Sequence, residues 1–308
     1  MKHCLKPAWG CAVAATVALC TGCMSLTPYA EVLDSVPASE FVRINGQWVH
    51  YQRAGSGPAL LLIHGFGEST YTWRQVMPQL AADHDVIAVD LNGFGYTERL
   101  LDPSAYSLAG QVSLVVRLMD ALGVEHATIV GHSYGAGVAL GLATRHAERV
   151  DGLILTDGGV IEQASTGFLL RPVVEPFVTF YVQFFLLNED SIRGLLADAS
   201  VNDAYITDTV VAEYLARLRI EGLDRAVRGL TSAATDILTI VPAGIDKPTL
   251  LLWGADDEVI PVSVGEDLAA TMPDANLVTI PATGHLPMEE RPAEFLSAVN
   301  DFLGQAEL

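Results

Sequence analysis

At 308 residues, half of them apolar, the chain can bury one large core, or one core plus an inserted lid. Its 17 basic side chains are outnumbered by 37 acidic ones, a formal net charge of −20. With no basic stripe to neutralise phosphates, nucleic acid is excluded as a partner, and strongly anionic substrates or membrane surfaces are poorly matched. The four cysteines all fall at the start, at Cys4, Cys11, Cys20 and Cys23, so the body of the fold has neither a disulfide framework nor a cysteine metal site.

Lys2 and Lys6 precede an apolar stretch over residues 8–19 that is too short to span a bilayer comfortably, and small residues follow. Residues 1–22 therefore read as a secretory signal peptide. Its end, Leu19-Cys20-Thr21-Gly22-Cys23, resembles a bacterial lipobox, with Cys20 where a leucine is usual. That resemblance implies a lipid-modified Cys23 and an exported protein on the periplasmic side, held to the outer membrane if the source is Gram-negative. An ordinary cleaved signal and an uncleaved N-terminal anchor remain the alternatives. Residues 23–40, with Pro28 and Pro37, read as a tether between anchor and domain.

From residue 41 the pattern becomes regular. Residues 41–54 alternate around Asn45-Gly46, a two-residue hairpin signal. Residues 58–63 form a continuous apolar run, as a strand buried on both faces should. The run ends at His64-Gly65-Phe66-Gly67. A helix is expected over 73–82, a buried strand over 85–89, and an amphipathic helix over 108–122 that stops at Gly123. The apolar stretch 126–130 leads into Gly131-His132-Ser133-Tyr134-Gly135, and a helical stretch follows. Another strand is expected over 150–155. From about 160 to 237 the alternation stops and the segment reads as mostly helical. Strands return at 248–253 and 277–280, with helices at 262–272 and 292–303, the last opening on a proline. Strands alternating with helices mean a mostly parallel central sheet flanked by helices, an α/β fold class. Its core is divided into residues 41–159 and 238–308 around an inserted helical cap, residues 160–237.

The G-x-S-x-G stretch sits between a strand and a helix, the context in which it carries chemistry. A sharp turn there strains the serine backbone and lifts Ser133 Oγ off the sheet edge, with small neighbours letting strand and helix approach. A hydroxyl needs a base within hydrogen-bond reach and a third group to orient that base. The chain offers both in later loops, in the order serine, acid, histidine.

Four motifs, each at a strand end, together resemble the α/β-hydrolase superfamily in its lid-bearing branch: His64-Gly65-Phe66-Gly67, Gly131-His132-Ser133-Tyr134-Gly135, Gly254-Ala255-Asp256-Asp257 with Pro261, and Gly284-His285. The resemblance covers residue 41 to the C-terminus. It implies a catalytic triad of Ser133 as nucleophile, His285 as general base and Asp257 as orienting acid. In this family the acid stands four residues before a proline, and Pro261 selects Asp257 over its neighbour Asp256; Asp157 is an alternative position. It also implies an oxyanion hole from the Phe66 and Tyr134 backbone N–H groups. His64 is expected to brace the oxyanion loop, Asp90 to brace its own loop, and His132 to face away from the nucleophile. His84, His126 and His146 read as surface or helix-end residues. Histidine spacing gives no metal site, no glycine-rich loop reads as a phosphate cradle, and no cofactor is implied.

The resemblance therefore implies a serine hydrolase without cofactors, of carboxylesterase or lipase type, acting on a small hydrophobic ester. Carbon–carbon bond, lactone or amide hydrolysis on the same triad is the alternative, and a non-catalytic ligand-binding member of the fold is a third. Residues 168–187 are the most apolar stretch after the leader and read as a lid helix, with one face lining an acyl pocket or touching a lipid surface.

Overall fold

A computed structural model describes residues 26–159, 187–233 and 240–308. Residues 1–25, which hold the expected signal peptide and Cys23, residues 160–186, which hold most of the apolar stretch expected as a lid helix, and residues 234–239 lie outside the described residues.

The described chain runs through α1 (Tyr29–Ser35), β1 (Phe41–Ile44), β2 (Gln47–Ala54), β3 (Ala59–Ile63), α2 (Met77–Leu80), β4 (Asp85–Val89), α3 (Leu108–Leu122), β5 (Ala127–His132), α4 (Tyr134–Arg145) and β6 (Val150–Thr156). Between β6 and β7 it inserts α5 (Glu189–Asp198), α6 (Asp208–Leu218) and α7 (Leu223–Ala233). It closes with β7 (Thr249–Gly254), α8 (Val262–Thr271), β8 (Ala275–Ile280), α9 (Pro287–Glu290) and α10 (Pro292–Ala306). The eight strands form one sheet in the order β1-β2-β4-β3-β5-β6-β7-β8. The β1–β2 and β2–β4 pairs are antiparallel and all others are parallel.

The central strands are buried because both faces are covered. All six residues of β5 and of β7 are buried, whereas β8, at the sheet's edge, is mostly half-exposed. One apolar layer packs α3, α4 and α8 against Leu61, Ile63, Ile129 and Leu251. The other packs Trp73, Phe295 and the α5–α6 side chains Ile192, Val211 and Leu215 against Leu60, Leu62, Val130 and Leu252. The hairpin turn at Asn45-Gly46 has φ of 51° and 90°, the two positive values that an Asn-Gly turn adopts at low cost.

Two stretches differ from the sequence reading. The helix expected over 73–82 is a 3₁₀ turn, Thr70–Trp73, followed by the single α-turn of α2. Pro78 is the reason: it has no N–H to continue a helix from upstream, and it sits in the first turn of α2, where none is needed. The stretch read as a tether contains α1, framed by Pro28 and Pro37 and packed through Val32 and Tyr29 into a small cluster with Phe41 and Ile220. Thr27 pairs with the insert: its N–H donates to Arg219 O at 2.8 Å and its carbonyl accepts from Glu221 N at 2.9 Å.

Candidate active site

The turn between β5 and α4 is set by close approach. A Cβ at Gly131 would lie 2.6 Å from Gly135 O, and one at Gly135 would lie 2.2 Å from Ile63 O, so neither position admits a side chain. Ser133 sits between them at φ 50°, ψ −114°, a conformation costly for a residue with a Cβ. That strain points Oγ away from the sheet, and the hydroxyl is half-buried.

The loops after β7 and β8 bring the other two expected side chains to it. His285 Nδ1 donates to Asp257 Oδ2 at 2.8 Å, and Ser133 Oγ lies 3.0 Å from His285 Nε2. With the proton on Nδ1, Nε2 is the acceptor and the serine hydroxyl donates to it. Asp257 Oδ1 accepts from the Val259 and Ile260 amides at 2.7 and 3.0 Å. Burial works against ionising Asp257, but the His285 hydrogen bond and charge and the two amides outweigh it, holding the carboxyl below its usual range. Its neighbour Asp256 is exposed.

Tyr134 opens α4, so its N–H is one of the donors a helix start leaves unpaired, directly beside Ser133. Phe66 lies in the loop after β3, and its ring stands edge-on to Tyr134 with centroids 6.4 Å apart. Phe94 completes the aromatic group, at 5.2 Å from Phe66 and 6.3 Å from Tyr134.

The model for the alpha/beta hydrolase fold family matches residues 58–292. The chain belongs to this family. Like named members of it, this α/β hydrolase is a hydrolytic enzyme. It is 33% identical to a 2-hydroxymuconate semialdehyde hydrolase of Pseudomonas sp. strain CF600, over 82% of this chain and 89% of that one. Among solved structures it is similar to a bacterial membrane phospholipase A, a virulence factor, with a TM-score of 0.72, 26% identity and 96% of each chain covered. It is equally similar to a meta-cleavage product hydrolase of Pseudomonas fluorescens IP01, with a TM-score of 0.72 and 26% identity over 86% of this chain and 97% of that one.

Other residues complete this α/β hydrolase's site, among them Asp157, named by the sequence only as an alternative position for the acid. Asp157, with φ 48° at the end of β6, is fully buried; it accepts from the Gly254 amide at 2.8 Å and the Thr156 hydroxyl at 2.9 Å. Burial and the neighbouring Asp257 charge push its carboxyl well above the usual range, which favours the protonated form, able to donate to Asp257. Asp157, Asp257 and His285 offer atoms within 4.8 Å of one another, the one grouping among the described residues close enough for a metal. Both His285 nitrogens and both Asp257 oxygens are already engaged in the hydrogen bonds above.

Glu290 clamps the His285 loop. Its carboxylate accepts from Gly284 N and Leu286 N, and from Val201 N and Asn202 N just beyond α5. His285 N also donates to Ala199 O at 2.7 Å, so this histidine is tied to the inserted helices.

The histidines expected to be structural separate clearly. His64 Nδ1 donates to Gly65 O at 2.7 Å and Nε2 accepts from Leu91 N at 3.1 Å, which braces the loop before Phe66 and fixes a neutral tautomer. Burial keeps it neutral by pushing its pKa down. Asp90 accepts from Thr70 N, Tyr96 N and His50 Nδ1, holding its own loop. His126 is exposed at the surface, and His146 stands at the end of α4. His132, given no role by the sequence reading, is buried beneath His285 with ring centroids 4.9 Å apart.

Proposed function

We propose that the protein is a serine hydrolase that cleaves a hydrophobic ester through an acyl-enzyme at Ser133. The observation that carries this reading is the hydrogen-bonded run from Asp257 through His285 to Ser133, with 2.8 and 3.0 Å spacings. His285 takes the Ser133 proton as Oγ attacks the ester carbonyl. The Phe66 and Tyr134 amides hold the developing oxyanion, and Asp257 stabilises the imidazolium. The His285 proton then goes to the leaving alkoxide, giving the free alcohol. Water, deprotonated by the same imidazole, attacks the acyl-enzyme, releasing the acid and restoring Ser133. Asp157, its carboxyl pushed well above the usual range by burial and the Asp257 charge, favours a single negative charge in this corner of the site.

The ester class is supported by the likeness to the membrane phospholipase A, which extends over 96% of both chains and so takes in residues before β1. A second reading, hydrolysis of a semialdehyde of the kind named for the Pseudomonas relative and hence of a carbon–carbon bond, is favoured by the 33% identity to that protein. The deciding experiment pairs a fluorophosphonate probe with esters of increasing acyl length and a ring-cleavage semialdehyde, using Ser133→Ala as the blank. Expected are labelling of Ser133 and faster turnover of medium-chain esters than of acetate. No labelling of folded protein would favour a ligand-binding member of the fold, and turnover of the semialdehyde alone would favour the second reading.

We further propose that Cys23 carries a lipid that anchors the enzyme to a membrane. Support comes from the Leu19–Cys23 sequence and from the likeness to a phospholipase described as a membrane protein. No helix of the described residues is long and apolar enough to cross a membrane. Cells fed an alkyne-tagged fatty acid should yield tagged wild-type protein and untagged Cys23→Ser. Equal tagging of both would end this reading.

A further inference from the structure

His132 is the last residue of β5, adjoins Ser133, and has no exposed surface. Its Nδ1 faces the Glu68 carboxylate, at 2.9 Å from Oε1 and 3.1 Å from Oε2. Its Nε2 lies 2.7 Å from the backbone carbonyl oxygen of His285. The carbonyl only accepts, and Glu68 only accepts while it is a carboxylate; protonated, it would donate to Nδ1 and a neutral imidazole would suffice. The Gly65 N–H donated to the same carboxyl favours its ionised form. Opposite an ionised Glu68, a neutral imidazole, with its one N–H, would press a lone pair against an oxygen. The same test applied to His64 gives the opposite state, because one of its partners is the Leu91 N–H. Glu68 reaches on from His132 to accept from Gly65 N at 3.0 Å, immediately before Phe66. A continuous buried chain therefore runs from the oxyanion loop, through Glu68 and His132, to the backbone of the general base.

We propose that Glu68 and doubly protonated His132 form a buried charged pair that positions the oxyanion loop and the His285 loop relative to each other. The proposal rests on the triad reading for its catalytic consequence, though not for the protonation state. His132 is a positioning residue: it touches the base's backbone and not the reacting atoms. The groups facing it are Glu68 from the loop after β3, Asp257 from the loop after β7, His285 from the loop after β8, and His64 at the end of β3. On the far side Glu68 feels Glu289 of α9 and Tyr214 of α6. Burial disfavours the charge on His132, but the Glu68 charge and hydrogen bond, the His285 carbonyl and Asp257 outweigh it, so its pKa is raised. Burial likewise opposes ionised Glu68, and His132 with the Gly65 amide brings its carboxyl down. A raised histidine pKa means the pair persists below that raised value and is lost as pH climbs through it.

The test is nitrogen-15 NMR of histidine-labelled protein at pH 8, with His132→Asn assigning the signals, alongside kcat and KM against pH for wild type and Glu68→Gln. Two ring N–H protons on His132 are expected at pH 8. In Glu68→Gln, kcat should fall about tenfold with KM within twofold, and its alkaline limb should move to lower pH by about one unit, as loss of a neighbouring charge in a low-dielectric site would produce. A single ring N–H at pH 8, or a Glu68→Gln enzyme with unchanged kcat and an unmoved limb, would overturn the proposal. The wild-type NMR result decides the charge state even where Glu68→Gln fails to fold. Failure of Ser133 to take the fluorophosphonate would remove the triad reading and leave that NMR result standing.

Discussion

Asp157 and Asp257 are two carboxyls sharing a buried corner, and they titrate in opposite directions. Asp257 is solvated by a histidine and two amides, whereas Asp157 has burial and a like charge against it. An acid whose pKa is raised by folding favours the fold while protonated, and that contribution is lost as pH rises from the ordinary carboxylate value through the raised one. Asp157→Asn keeps the shape and removes the titration. The stability of wild type should fall relative to Asp157→Asn by about 1.4 kcal/mol per pH unit upward from pH ~4, until Asp157 ionises. Urea titrations of both proteins between pH 4 and pH 8 measure this, and a gap independent of pH would show Asp157 ionised throughout. Ser133, Asp257 and His285 were legible in the sequence because each stands in a short motif at a strand end. Glu68, His132 and Glu290 were not, and Asp157 was read only as an alternative position for the acid. Much of their significance lies in distant contacts, such as those of His132 with Glu68, 64 positions away, and with His285, 153 away, and no local spacing encodes those.

Helix α3 shows an element written almost wholly into its own residues. Ser107 caps its start, accepting from Gly110 N at 3.0 Å, and Gly123 ends it at φ 71°. Replacing Ser107 by alanine should cost about 1 kcal/mol, seen as a melting temperature lower by roughly 2–4 °C. An unchanged melting temperature would mean that Gly110 N finds another acceptor. The buried strands were readable to within about two residues at each end, since a strand covered on both faces is largely apolar, although β5 runs on through Gly131 and His132 and β7 through Gly254. Two elements were not. Pro78 shortened a helix whose apolar pattern looked continuous, and the prolines around α1 made seven helical residues resemble a linker. In both, helix-like or linker-like composition competed with the one constraint that decided the outcome: the missing N–H of proline, or docking onto Ile220.

For the molecule as a whole, 37 acidic against 17 basic side chains leave a surplus that repels itself in the compact state. Raising salt from 10 mM to 150 mM, where the screening length falls to about 8 Å, should raise the melting temperature. A fall would mean that ion pairs such as Arg53–Asp85 and Arg149–Asp120 outweigh the surplus. The connection between the start of the chain and the inserted helices has a further consequence. Thr27 is stitched to Arg219 and Glu221, between α6 and α7, while α1 is seated against the strand that begins the sheet. Any outward swing of those helices must peel away this stitch or drag it along. The amide protons of Thr27 and Glu221 thus act as a clock for that motion, and deuterium uptake at these two sites would record how often the roof of the enzyme lifts.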